Sequence, residues 1–134
     1  DMEYIRISSL MSNVMTQLGN EKTNKKITEH PAYHKIKEGK YFYTQETSEN
    51  YIFRAGDYEA DNIKTIGLKL ISEVVWINDL EYKLVLNQIN DASLTLLKIG
   101  DTLHARITEI TDEYFMTETS FDGQSKVSKL WFVS

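Results

Sequence analysis

From Lys40 onward, apolar and polar side chains alternate in short runs, the period of extended chain with one face turned to a core. The runs are KYFYTQ, YIFRAG, YEADNI, LKLISEVVWI, LEYKLVLNQI, TLHARITEI, EYFMTET and SKVSKLWFV. Between them stand residues that enter tight turns at little cost: Glu49 and Asn50, Gly56 and Asp57, Asn78 and Asp79, Ile99 to Asp101, Thr111 and Asp112, Asp122 and Gly123. No helix-length segment separates consecutive runs, so the strands pair antiparallel in chain order. Leu80, Tyr82, Leu84 and Leu86 oppose Glu81 and Lys83, and Leu103, Ala105 and Ile107 oppose His104, Arg106 and Thr108. One face is buried and the other wet. The pattern predicts an all-β, antiparallel up-and-down meander of about eight strands over residues 40–134. Closing it into a barrel removes the exposed edges, and a sandwich is the other solution.

The first third of the chain follows another period. Ile7, Leu10, Met11, Val14 and Leu18 fall on one helical face, and Gly19 with Asn20 supplies a stop. An amphipathic helix is predicted within residues 3–19. EKTNKK, residues 21–26, is polar and aperiodic, and Pro31 favours an extended residue before it. Residues 1–39 are therefore expected to be that helix followed by an extended linker.

At the central hairpin, VVWINDLEYKLV, register decides the fate of Trp76. A two-residue turn at Asn78 and Asp79 aligns Ile77 with Leu80 and Val75 with Tyr82, which sends Trp76 outward with Glu81. Trp76 is then covered by the N-terminal helix, or a longer turn rotates it inward.

Composition narrows the function classes. With 134 residues, 41% of them hydrophobic, the chain supports one core. Fifteen basic residues against twenty acidic ones give a net charge of -5, an unfavourable balance for nucleic acid, where affinity comes from clustered Lys and Arg. Without cysteine there is no disulfide, thiol nucleophile or thiolate zinc site. No apolar run reaches the roughly 18 residues of a membrane span, and no signal-peptide core is visible.

Together, HKIKEGKYFY, FRAGDYEADN, GLKLISEVVWINDLEYKLVLNQIND, GDTLHARITEIT and FDGQSKVSKL resemble small lipocalin-like, calycin-type proteins of Bacteroidetes-type bacteria. The likeness spans roughly residues 34–130 and rests on Lys-x-Gly-Lys, here Lys37 to Lys40, and on the hairpin around Trp76 and Tyr82. It implies a lipocalin-like barrel, a ligand-binding rather than catalytic role, and an exported protein. Family members carry one cysteine in the Trp hairpin and one before the Lys-x-Gly-Lys stretch. Here those places fall at Leu80 and near Tyr33.

The aromatic side chains Tyr41, Tyr43, Phe53, Trp76, Tyr82 and Trp131 are the candidate lining of a pocket for a small apolar or amphipathic ligand. The plainer alternative is a barrel filled by its own side chains, serving as a structural or protein-interaction domain whose N-terminal helix docks a partner. Alternation places Arg54 and Arg106 outward, opposite Phe53 and Ile107. Asp57, Glu59 and Asp61 share one side of their strand and read as a solvated edge. His30, His34 and His104 lack a metal-binding arrangement, since Pro31 interrupts the only close pair. Glu73 and Glu81 fall on exposed positions. No catalytic motif, metal site or cofactor site is expected.

Overall fold

The computed structural model describes residues 22–45 and 49–133. Eight antiparallel strands form a closed barrel in which each strand pairs with its neighbours in sequence. They are β1 (Gly39–Phe42), β2 (Asn50–Ala55), β3 (Tyr58–Ile63), β4 (Leu68–Trp76), β5 (Glu81–Ile89), β6 (Thr102–Ile110), β7 (Tyr114–Phe121) and β8 (Gln124–Phe132). The eighth closes on the first through the pairs Tyr41 with Phe132 and Phe42 with Trp131. Every sequence run becomes a strand, and the meander is the expected one.

The β7–β8 turn follows its sequence signal. Asp122 and Gly123 have φ of 50° and 76° between the pair Phe121 and Gln124, the two positive angles of a primed hairpin turn. The β4–β5 turn does not. Ile77 donates its N–H to the Glu81 carbonyl at 2.9 Å, and Trp76 pairs with Tyr82, so Asn78, Asp79 and Leu80 all lie within the turn. Asn78 stabilises it, its Oδ1 accepting the N–H groups of Leu80 and Glu81, each at 2.9 Å. The longer turn puts Trp76 on the inner face with Val74, Tyr82 and Leu84, and leaves Val75 and Ile77 exposed. Two irregularities, between Ile71 and Ser72 and between Ile107 and Glu109, add the local twist that a small barrel requires.

Residues 22–26 differ from the linker expectation. Residues 22–28 are helical, and His34–Lys37 forms a further helical turn before Gly39 leads into β1. The first segment is polar nearly all round, so tertiary contact through Ile27, not an apolar stripe, holds it in place. Gly39, at φ 153°, admits the sharp entry: a Cβ there would lie 3.2 Å from the Lys35 carbonyl oxygen. The amphipathic helix expected within residues 3–19 lies outside the described residues.

Ile27, Ile36, Leu80, Tyr41, Tyr82, Ile107, Phe115 and Leu130 belong to one cluster that fills the barrel where this N-terminal segment enters. A smaller cluster of Leu68, Leu70 and Leu86, with Ile63, Ile89 and Leu97 against it, lies toward the other end.

Candidate ligand site at the open end of the barrel

The interior is a polar waist between two apolar ends. Ile52 fixes the parity of β2 and places Arg54 inside, where it is 2% exposed. Its Nε donates to Glu59 Oε1 at 2.7 Å, Nη1 to the Ile36 carbonyl at 3.0 Å and Nη2 to the Tyr82 hydroxyl at 2.6 Å. Tyr41 reaches the same helical turn, donating to the carbonyls of Lys35 and Ile36. Arg54 is thus buried, contrary to the outward placement, whereas Arg106 is on the surface, 3.2 Å from Glu81. Glu59 and Asp61 share the inner face of β3, and only Asp57, in the preceding turn, is the solvated acid the pattern predicts.

Electrostatics makes the waist nearly neutral. Burial alone would lower the Arg54 guanidinium, but the Tyr82 hydroxyl oxygen and the Glu59 carboxylate, which accept its N–H groups, outweigh that and hold it cationic. Burial, then the neighbouring Glu59, pushes the Asp61 carboxyl well above the usual carboxylate range against the opposing pull of Arg54. Burial thus favours the protonated form of Asp61, while Arg54 pairs with Glu59. The Asp61 Oδ1 is buried without a hydrogen-bond partner among the described residues. Burial likewise raises the hydroxyls of Tyr41, Tyr43 and Tyr82 above the ordinary tyrosine value, so all three are neutral donors or acceptors.

The six aromatic candidates do not form one lining. Tyr41 and Tyr82 are fully buried; Tyr41 meets Phe115 edge-on at 5.0 Å. Trp76 rests on Tyr82 at 4.8 Å, with the Lys37 ammonium 5.0 Å from its ring. These three belong to the packed cluster at the end where the N-terminal segment enters. Tyr43 is half-buried and packs on the same cluster. Phe53 and Trp131 point away from the interior. Phe53 is 47% exposed, and Trp131 packs beside Tyr114 at 4.9 Å on the outer wall. Outside, the row Tyr114, Trp131, Phe42, Tyr51 runs directly across β7, β8, β1 and β2. Lys129 lies over Tyr114 and Lys40 over Tyr51, each at 4.3 Å.

The cavity lies elsewhere. At the end away from the helical segment, about 560 Å³ of space opens between the inner faces of β6, β7 and β8 and the β5–β6 loop. Leu96 and Leu97 from the loop, with Leu103 and Phe121 from the strands, give apolar walls; Thr119, Gln124, Lys98 and Lys126 supply polar groups. Its size is within the range of small-molecule sites. A second space, about 390 Å³, lies between residues 24–28 and the β4–β5 turn, with mostly polar and charged walls. Leu103 is the one cavity residue that alternation already placed inward; the loop residues were hidden because Leu94, Leu96, Leu97 and Ile99 follow neither strand nor helix period.

His30 lies 3.6 Å from Asp112, His34 Nδ1 is 2.9 Å from the Pro31 carbonyl, and His104 is exposed on β6. Among the described residues no group of three or more His, Asp or Glu side chains is placed to hold a metal, and no helix is long and apolar enough to cross a membrane. No family model matches the chain, nor does any curated protein or solved structure.

Proposed function

We propose that the protein is a non-catalytic, lipocalin-like carrier that takes a small amphipathic molecule at the open end of its barrel. The observation that carries this reading is the cavity of about 560 Å³, with Leu96, Leu97, Leu103 and Phe121 as walls and Lys98 and Lys126 among its polar residues. An apolar body enters between the leucines while a polar head stays beside the lysines and Gln124 in contact with water. The filled end of the barrel contributes rigidity, not binding.

Titration with a fluorescent apolar probe tests the proposal. One equivalent is expected to bind per chain and to be displaced by a long-chain fatty acid. Leu103→Glu places a carboxylate in the apolar wall and is expected to weaken the probe about tenfold or more. Tyr58→Ser, at an exposed position of β3 away from the cavity, is expected to leave binding unchanged. Absence of saturable binding, or equal loss from both variants, overturns the carrier reading and leaves the domain as an interaction module with a filled core.

A further inference from the structure

The outer wall of the barrel carries a hollow of its own, and an alanine makes it. Because Glu59 and Asp61 are turned inward on β3, Ala60 and Asn62 are turned outward. Pairing sets Phe53 and Ile71 on either side of Ala60, and Tyr51 and Lys69 on either side of Asn62. Facing side chains on one sheet surface stand about 5 Å apart, so an alanine among larger neighbours leaves a depression above its methyl group. The groove holds about 430 Å³, within the range of small-molecule sites. It shares no lining residue with the open-end cavity.

The walls specify the occupant. Tyr51 and Phe53 follow each other on the outer face of β2, about 7 Å apart along the strand, and give the groove two aromatic sides over an apolar floor. The Lys40 ammonium lies 4.3 Å from the Tyr51 ring centre and 5.4 Å from that of Phe42, so ring contact holds a positive charge at one rim. Lys69 lines the opposite rim. Among the described residues neither lysine makes an ion pair. Asp61 and Leu70 border the groove through their backbone, since their side chains belong to the inner face, and Glu38, Glu49 and Glu73 are exposed outside the lining. No carboxylate inside the groove competes for Lys40. The Asn62 Oδ1, in the same lining, is shut off from water and has no hydrogen-bond partner among the described residues. It offers a bound molecule one acceptor.

We propose that this outer groove binds a flat aromatic carboxylate with a hydroxyl or amino group at its far edge. The ring lies over Ala60 between Tyr51 and Phe53, the carboxylate meets the Lys40 ammonium, and the far-edge group donates to Asn62 Oδ1. The site stands apart from the carrier reading, whose ligand enters at the open end.

Titration of the labelled full chain with 6-hydroxy-2-naphthoate, followed through backbone amide chemical shifts, tests this. Saturable shifts are expected across residues 51–53, 60–62 and 69–71. Ala60→Leu fills the depression from the solvent side and is expected to weaken binding about tenfold or more. Lys40→Gln is expected to weaken it about threefold and to remove most of its salt dependence. The neutral carboxamide of the same ring should bind less tightly than the acid. Absence of saturable shifts, shifts centred on Leu103 and Thr119 of the open-end cavity, binding undiminished by either variant, or a carboxamide that binds as tightly as the acid would each overturn the assignment.

Discussion

Where the N-terminal segment enters the barrel, Ile27, Ile36 and Leu80 fill the interior, and Arg54 and Tyr41 fasten that segment through its carbonyl groups. At the opposite end no such segment enters among the described residues. Leu103, Thr119 and Phe121 are half-buried there, and the β5–β6 loop stands beside a cavity instead of closing it. Among the described residues the same eight-stranded frame thus holds inserted chain at one end and a cavity at the other. An eight-stranded barrel has an interior of the size that permits either outcome.

The comparison breaks most directly at Arg54. Arg54→Met leaves Glu59 buried without its cation and is expected to cost about 3–5 kcal/mol of stability, read from urea unfolding. A loss below about 1 kcal/mol would mean that the waist does not fasten the filled end. Tyr41→Phe removes the hydroxyl that holds the Lys35 and Ile36 carbonyls. About 1–2 kcal/mol is expected, with faster amide exchange across residues 27–37 and little change around the β5–β6 loop.

Asp61→Asn sharpens the account of the waist through pH. A carboxyl whose folded-state pKa is raised favours the fold fully below its unfolded value and loses that contribution as pH rises toward the folded value. The parent should therefore lose some stability between acid and neutral pH, and Asp61→Asn should be flatter over that interval and more stable at neutral pH. Unfolding measured across pH 4–8 decides it; an unchanged slope would place the proton elsewhere. The smallest effect on stability is expected at the open end, where Leu103→Glu should cost under about 1 kcal/mol because the side chain is already half-exposed to the cavity. A loss of several kcal/mol there would show that the cavity wall is core.

The strands were legible because each run alternates and each boundary holds turn residues. The faces were less so. Tyr51, Ile52 and Phe53 are three consecutive apolar residues, so alternation alone does not say which of Ile52 and Phe53 lies inside. Taking Phe53 as inward reversed β2 and sent Arg54 to the surface. The signal that corrects it is a cross-strand pair: a two-residue turn at Gly56 and Asp57 sets Arg54 opposite Glu59, and two opposite charges placed to neutralise each other can both be buried. Trp76 depended on turn length, which the Asn78 side chain sets by accepting two backbone N–H groups, a role its identity does not announce. The helical residues 22–28 escaped because one buried Ile27 is no periodicity. The cavity escaped because its loop walls have no pattern, and the aromatic candidates were instead divided between the filled end and the outer wall.

The seam of the barrel has a kinetic consequence. β7 and β8 are paired along the whole hairpin, from Tyr114 with Trp131 to Phe121 with Gln124, whereas β8 meets β1 through two residue pairs, one of them joining Tyr41 to Phe132 across most of the sequence. Local hairpins assemble before contacts that must close a long loop. Meander strands β2 to β8 should therefore zip in order, with the β1–β8 seam completed last. The same pairs should be the first to part. Because Tyr41 holds the Ile36 carbonyl within its own segment and Arg54 ties that carbonyl to β2, the N-terminal segment should stay with β1 and β2 when the seam opens.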